Sequence, residues 1–109
     1  MIYETHHARD QIRALRAYYL NKERYDAYRN LRAAIAEARA RIEADPNSGL
    51  PHPRPYPAMA KWGFLWIKVH RYWFGWSTWR GYPVVTNVFD ATSRMWRRVK
   101  RDEGGMEPF

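Results

Sequence analysis

Four residues in the second half of the chain have the types that cutting RNA without a metal requires: Lys68, His70, Arg71 and Arg80. Such a reaction needs a base for the 2′-hydroxyl, an acid for the leaving oxygen, and cations against the phosphate. Histidine is the side-chain type most suited to acid–base work, and the other three supply positive charge. If the hairpins carrying them fold as their spacing suggests, all four cluster at one end of a sheet. The plainer reading of His70, an exposed turn residue beside an arginine, stands next to the catalytic one. The other histidines offer less. His6 and His7 are adjacent and on a strand would point to opposite faces, a poor metal pair, while His52 lies among prolines. No metal and no cofactor is expected.

Two further sets have the chemistry of binding. Arg94, Arg97, Arg98 and Arg101 fall on one side of a short C-terminal helix, suited to phosphates or to an acidic protein segment; a solvated helix face is the plain alternative. The aromatic run Tyr72, Trp73, Phe74, Trp76 and Trp79 reads as a strand. Alternation puts Tyr72, Phe74 and Trp76 on one face and Trp73 and Trp79 on the other. One set must be core. A bare patch of tryptophans is a liability, so the second set is expected to meet stacked bases or a protein partner.

The charge distribution agrees with an anionic partner. The 109-residue chain carries +8 overall: +3 over residues 1–60, +8 over 61–101 where Asp90 is the sole acid, and −3 over 102–109. A well-solvated basic surface fits the same numbers. All six Trp lie between Trp62 and Trp96, and there is no cysteine. Disulfides and thiolate metal sites are therefore excluded, in keeping with a reducing cytoplasm. No signal peptide is evident, and no uncharged stretch approaches the ~20 residues of a membrane helix. A soluble, cytoplasmic protein without membrane contact is expected.

The elements that must position these residues follow from periodicity. Ile2 and Tyr3 suggest a short first strand. From Asp10, a natural helix cap, Ile12, Leu15 and Tyr19 repeat at helical spacing. Tyr28, Leu31, Ile35, Ala38 and Ile42 form the stripe of a second helix, with Glu37 and Arg41 an i,i+4 pair on its exposed side. The break falls at Asn21 and Lys22. Asp45-Pro46-Asn47-Ser48-Gly49 ends the second helix, and residues 50–61 read as a stiff proline-rich connection. The period then becomes two. Phe64–Val69, Tyr72–Trp79 and Val84–Phe89 read as a three-stranded antiparallel meander turning at His70-Arg71 and Arg80-Gly81. Thr92 or Ser93 would cap the last helix, with Met95, Trp96 and Val99 inward. The expected plan is α+β, in the order β-α-α-β-β-β-α, a helical hairpin packed on a small mainly antiparallel sheet. It is read as one domain over 1–101 with a frayed acidic tail over 102–109.

That order, length and charge resemble the RelE/ParE superfamily, the toxins of bacterial type II toxin–antitoxin systems. The local sequence sharpens the likeness. Pro53-Arg54-Pro55-Tyr56-Pro57 leads through Lys61-Trp62-Gly63 into Trp66-Ile67-Lys68-Val69, then Arg71-Tyr72-Trp73-Phe74 and Val84 to Phe89. The ParE-like branch has the same progression: a Pro-Tyr-Pro loop, a strand ending near a Gly-Arg-Tyr turn, an aromatic strand, then a Val/Ile strand. The resemblance spans about residues 2–100.

Two departures bear on what it implies. His70 stands where the family often has Gly. RelE-type ribosome-dependent nucleases carry basic residues on the later strands and usually a C-terminal Tyr. Here Val84–Phe89 has no basic residue, and the aromatics from there on are Phe89, Trp96 and Phe109. The resemblance therefore implies a ParE-like toxin that arrests growth at DNA gyrase, not as an enzyme, and is held inactive by a cognate antitoxin, with a toxin–antitoxin hetero-oligomer as the assembly. Arg71, Arg94, Arg97 and Arg98 would contact the target; Trp73, Trp79 and Trp96 would meet the antitoxin. The alternative is an mRNA endonuclease acting at the ribosome through Lys68, His70, Arg71 and Arg80.

Overall fold

A computed structural model describes residues 2–51 and 64–91 of the chain. The first strand, β1, is Tyr3–Glu4, and the chain turns at once into α1, His6–Asn21. Thr5 makes that turn possible. It keeps extended backbone, donates its N–H to the Val85 carbonyl at 2.9 Å, and caps α1 by accepting from the Ala8 N–H at 3.1 Å. The helix thus starts four residues before the expected Asp10 cap. Asp10 instead lies on the helix surface, 3.9 Å from Arg13. His6 and His7 are on α1 as well, in its first turn.

The two helices are joined by a tight reversal. Glu23 adopts φ 54°, the Arg24 N–H reaches back to the Tyr19 carbonyl, and the Glu23 N–H reaches the Leu20 carbonyl. This double bond to the last turn is the Schellman arrangement, here built on a glutamate. Helix α2 then runs over Tyr25–Ala44. Its buried line is Ala27, Leu31, Ala34, Ala38 and Ile42, which keeps Leu31, Ala38 and Ile42 of the expected stripe and puts Ala27 and Ala34 in place of Tyr28 and Ile35. Alanines at 27, 34 and 38 let the helix axis lie close to the structure beneath. The longer Tyr28 and Ile35 are left half-buried at the edge.

The second half forms β2 (Leu65–Val69), β3 (Tyr72–Trp79) and β4 (Tyr82–Asp90). The sheet order is β1-β4-β3-β2, with β1 parallel to β4 and the other pairs antiparallel. Leu50 adds a single bridge to Trp66 on the outer edge of β2. Strand β4 extends beyond the expected Val84–Phe89, because Tyr82 and Pro83 still pair with Trp79 and Thr78. Proline is tolerated this close to a strand's start.

One register shift divides the β3–β4 pairing. Gly75 opposes Asn87 but Trp76 opposes Val85, so β4 carries Thr86 as an extra residue. The bulge is held from two sides: the Thr86 hydroxyl donates to the Gly75 carbonyl at 3.2 Å, and the Gln11 side-chain oxygen on α1 accepts the Val88 N–H at 2.7 Å. Gln11 is buried for this reason.

The helices cover one face of the sheet, where Ile67, Val69, Tyr72, Phe74, Trp76, Val85 and Val88 join the helical core. The opposite face carries a second cluster of Phe64, Trp66, Trp73, Val84 and Phe89, all at most 5% exposed. The sheet is therefore buried on both faces. Among the described residues, two helices and a four-stranded mixed sheet make this a small α+β fold. No described helix is long and apolar enough to cross a membrane. The proline-rich stretch from residue 52, the expected last helix and the acidic tail lie outside the described residues.

Candidate functional site

Strand β3 separates the residues that the sequence suggested might act together. Lys68, His70 and Arg71 lie at the β2–β3 end, while Arg80 sits in the β3–β4 turn. A meander puts consecutive turns at opposite ends, and eight residues of strand span ~26 Å. The expected clustering of all four is therefore corrected: Arg80 cannot reach a phosphate held by the other three.

At the β2–β3 end, the turn is made by His70 and Arg71, closed by the Val69–Tyr72 pair. His70 is exposed at φ 56°, a left-handed conformation that a residue with a Cβ adopts at a cost of ~1 kcal/mol. Lys68 is exposed on the face of the second cluster, directly across from Trp73. Arg71 is committed elsewhere. Its guanidinium lies 2.7 Å from the Asp90 carboxylate, whose side chain is 11% exposed, and its carbonyl accepts the Ala91 N–H at 2.7 Å. The hydrogen bond to Asp90 raises the Arg71 pKa further above its ordinary value, against the opposing effect of burial. These contacts tie the turn to the end of β4, the point where the chain leaves the sheet.

Beneath this turn lies a polar pair inside the core. The Tyr19 and Tyr72 hydroxyls are 2.6 Å apart, linking α1 to β3, and both residues are buried. Burial, and then the bond to Tyr19, push the Tyr72 hydroxyl well above the usual tyrosine range, so it is a neutral group at any physiological pH. The Arg24 guanidinium sits over the Tyr19 ring at 5.6 Å. The local logic is structural. Two hydroxyls satisfy each other where neither meets water, and Arg71 balances Asp90 beside them. Sequence reasoning missed Asp90 as a partner, although it is the sole acid of residues 61–101; that isolation was the available signal.

At the opposite end, Arg80 (φ 51°) and Gly81 (φ 84°) form a two-residue turn with positive φ at both positions, the hairpin geometry that matches strand twist. The Arg80 guanidinium stacks over the Trp79 ring at 4.6 Å. Tyr3 meets Trp79 and Tyr82 edge-on, with ring centroids 6.4 and 5.7 Å away, and Tyr82 is 44% exposed. This end is a partly exposed aromatic corner with the Arg80 cation against it.

The proposed antitoxin contacts separate in the same way. Trp79 is half-buried in that corner, whereas Trp73 is 5% exposed within the second cluster. The bare tryptophan face expected for Trp73 is thus not present. Trp96 and the arginines at 94, 97 and 98 lie outside the described residues. Among the described residues, no cluster of three or more His, Cys, Asp or Glu could hold a metal ion. The sequence matches no protein-family model and no curated protein.

Proposed function

We propose that this chain is the toxin of a bacterial type II toxin–antitoxin pair, of the ParE-like branch of the RelE/ParE superfamily. It arrests growth at DNA gyrase and is neutralised by a cognate antitoxin. The observation that carries the reading is the coincidence of the ordered motif with the strands. Trp66-Ile67-Lys68-Val69 lies within β2, Arg71-Tyr72-Trp73-Phe74 runs from the turn into β3, and the Val84–Phe89 stretch lies in β4 beside a parallel β1. The helical hairpin precedes them in the order the family shares.

Two features favour gyrase over messenger RNA. Lys68 and Arg80 are at opposite ends of the sheet, and Arg71 is already held by Asp90. Acid–base cleavage needs its groups within hydrogen-bonding reach of one phosphodiester, and that set is not assembled among the described residues. The basic segment after β4, with Arg94, Arg97 and Arg98, then becomes the target-binding candidate.

Pulse-labelling of DNA and protein synthesis just after inducing the chain alone tests this. DNA synthesis stalling before translation is the expected result. Translation stalling first, with transcripts cut inside codons, would replace gyrase by the ribosome.

A further inference from the structure

The aromatic corner at the β3–β4 turn lies on the sheet face opposite the helices. Tyr3 and Trp79 pack against the edge of the second cluster. Tyr82 opposes Trp79 in the ladder and, two residues from Val84, shares that residue's face. Tyr3 sets the arrangement, since Trp79 and Tyr82 each stand at 81° to its ring. The edge-on contact fixes the plane of Tyr82, while the residue itself is 44% exposed and belongs to neither core cluster.

Beside that ring stands a cation without a carboxylate. The Arg80 guanidinium lies 4.6 Å from the centre of Trp79, and it forms no ion pair among the described residues. Glu4 on the neighbouring strand is held by Arg9 and Arg39 of the helices, and Asp90 is held by Arg71 at the far end of β4. Stacking engages the flat face of a guanidinium and leaves the N–H donors in its plane for an anion. Arg80 also holds φ 51° in its two-residue turn, where Asn, Asp or Gly sit with less strain. A side chain placed where its backbone is disfavoured points to a role for that side chain.

An occupant must offer a flat apolar face to Tyr82 and negative charge to Arg80, within the width of one turn. A nucleotide carries both on one unit, the base and its phosphate. Bases in a duplex are stacked on each other and show only their edges in the grooves, so the strand must be single. Tyr3, Trp79, Arg80 and Tyr82 include no amide or carboxylate to read a 2′-hydroxyl, and the proposed action at gyrase puts the chain beside DNA. We propose that this corner binds single-stranded DNA, an unpaired base stacking on Tyr82 and the adjoining phosphate meeting Arg80. The choice of DNA over RNA rests on the gyrase reading; the stacking site itself does not.

The test is fluorescence anisotropy of the full chain with labelled probes of about 15 nucleotides, the span of a single-strand site. They are oligodeoxyuridylate, oligouridylate, an abasic deoxyribose strand and a DNA duplex. Oligodeoxyuridylate is expected to bind about tenfold more tightly than the abasic strand, and no more weakly than oligouridylate. Tyr82→Thr keeps a strand-forming residue and should weaken oligodeoxyuridylate by roughly fivefold or more, the loss of one stacked base. The same variant should leave the abasic strand and the duplex unchanged, and Tyr82→Phe should keep native affinity. If Tyr82→Thr melts early, Tyr82→Leu replaces it, with the same loss expected. Arg80→Asn suits the turn and should make the salt dependence shallower by about 0.7, one phosphate on a single strand. Equal binding of the abasic strand, unchanged affinity without the Tyr82 ring, equal loss on strand and duplex, or an unchanged salt slope in Arg80→Asn overturns the proposal. Tighter binding of oligouridylate overturns the assignment to DNA. Gyrase is absent from the assay, so strand binding and the gyrase reading can fail separately.

Discussion

Gln11 is a polar residue in a core, and its replacement by leucine is the most informative change to the fold. Its side-chain oxygen accepts the Val88 N–H at 2.7 Å, at the point where the Thr86 bulge interrupts the β3–β4 ladder. Val88 is fully buried and Gln11 only 7% exposed, so water cannot take the oxygen's place without opening the helix–sheet contact. A buried donor left without a partner costs ~1–3 kcal/mol. Leucine occupies similar volume, so little cavity cost adds to this, and its extra apolar area offsets part of the loss. The expected net destabilisation of Gln11→Leu is about 1.5 kcal/mol, a fall in melting temperature of roughly 6–10 °C for a domain this size. Gln11→Met, equally long and equally lacking the acceptor, should behave alike. Urea unfolding gives the free energy, and hydrogen exchange of the Val88 amide gives the local effect. Both variants melting within 1 °C of the native chain (about 0.2 kcal/mol), with Val88 exchange unchanged, would refute the claim that α1 holds the bulge.

Other perturbations follow from the same packing. A Cβ on Gly75 would lie 2.7 Å from the Trp66 ring, which is fully buried and cannot swing away, so Gly75→Ala should cost about 2–3 kcal/mol in urea unfolding; a loss under 0.5 kcal/mol would mean that the ring moves. Tyr72 stays neutral in the folded chain above the usual tyrosine pKa, while the unfolded chain ionises there. Its contribution is therefore intact below about pH 10 and lost as pH rises past it, and between pH 9 and 11 the native chain should lose about 1 kcal/mol more than Tyr72→Phe does. Parallel pH profiles would contradict that. Arg71→Ala strands the Asp90 carboxylate and should cost about 1–2 kcal/mol, reduced because the Arg71 side chain is 42% exposed. In Asp90→Asn the same arginine change should cost less, and a double-mutant cycle with no coupling would free Arg71 for a target.

Much of this architecture is legible in the sequence. The aromatic strand Tyr72–Trp79 and both its turns were readable because alternation and turn chemistry are local. What failed were choices between near-equal neighbours. Ile35 is more hydrophobic than Ala34, yet Ala34 is buried, because close helix approach rewards small side chains and periodicity weights size. Asp10 is a better cap by type than the position allowed, since Thr5 already holds the last bond of β1. Trp73 looked like surface because a sheet with one covered face was assumed; burial of both faces is a tertiary outcome. The ion pair of Arg71 with Asp90 joins a turn to a strand end 19 positions away, a distance that no spacing rule spans. The candidate site was legible in residue type but not in arrangement: Lys68, His70, Arg71 and Arg80 look close in sequence, and strand length alone sends Arg80 to the far end.

The proposed function has this chain act on gyrase without cutting RNA. Purified chain added to bacterial DNA gyrase, ATP and relaxed plasmid tests it most directly. Dose-dependent loss of supercoiling, reversed by charge-neutralising changes at Arg94, Arg97 and Arg98, is the predicted result. Undiminished supercoiling, together with cleavage of messenger RNA on ribosomes by the same preparation, would contradict it.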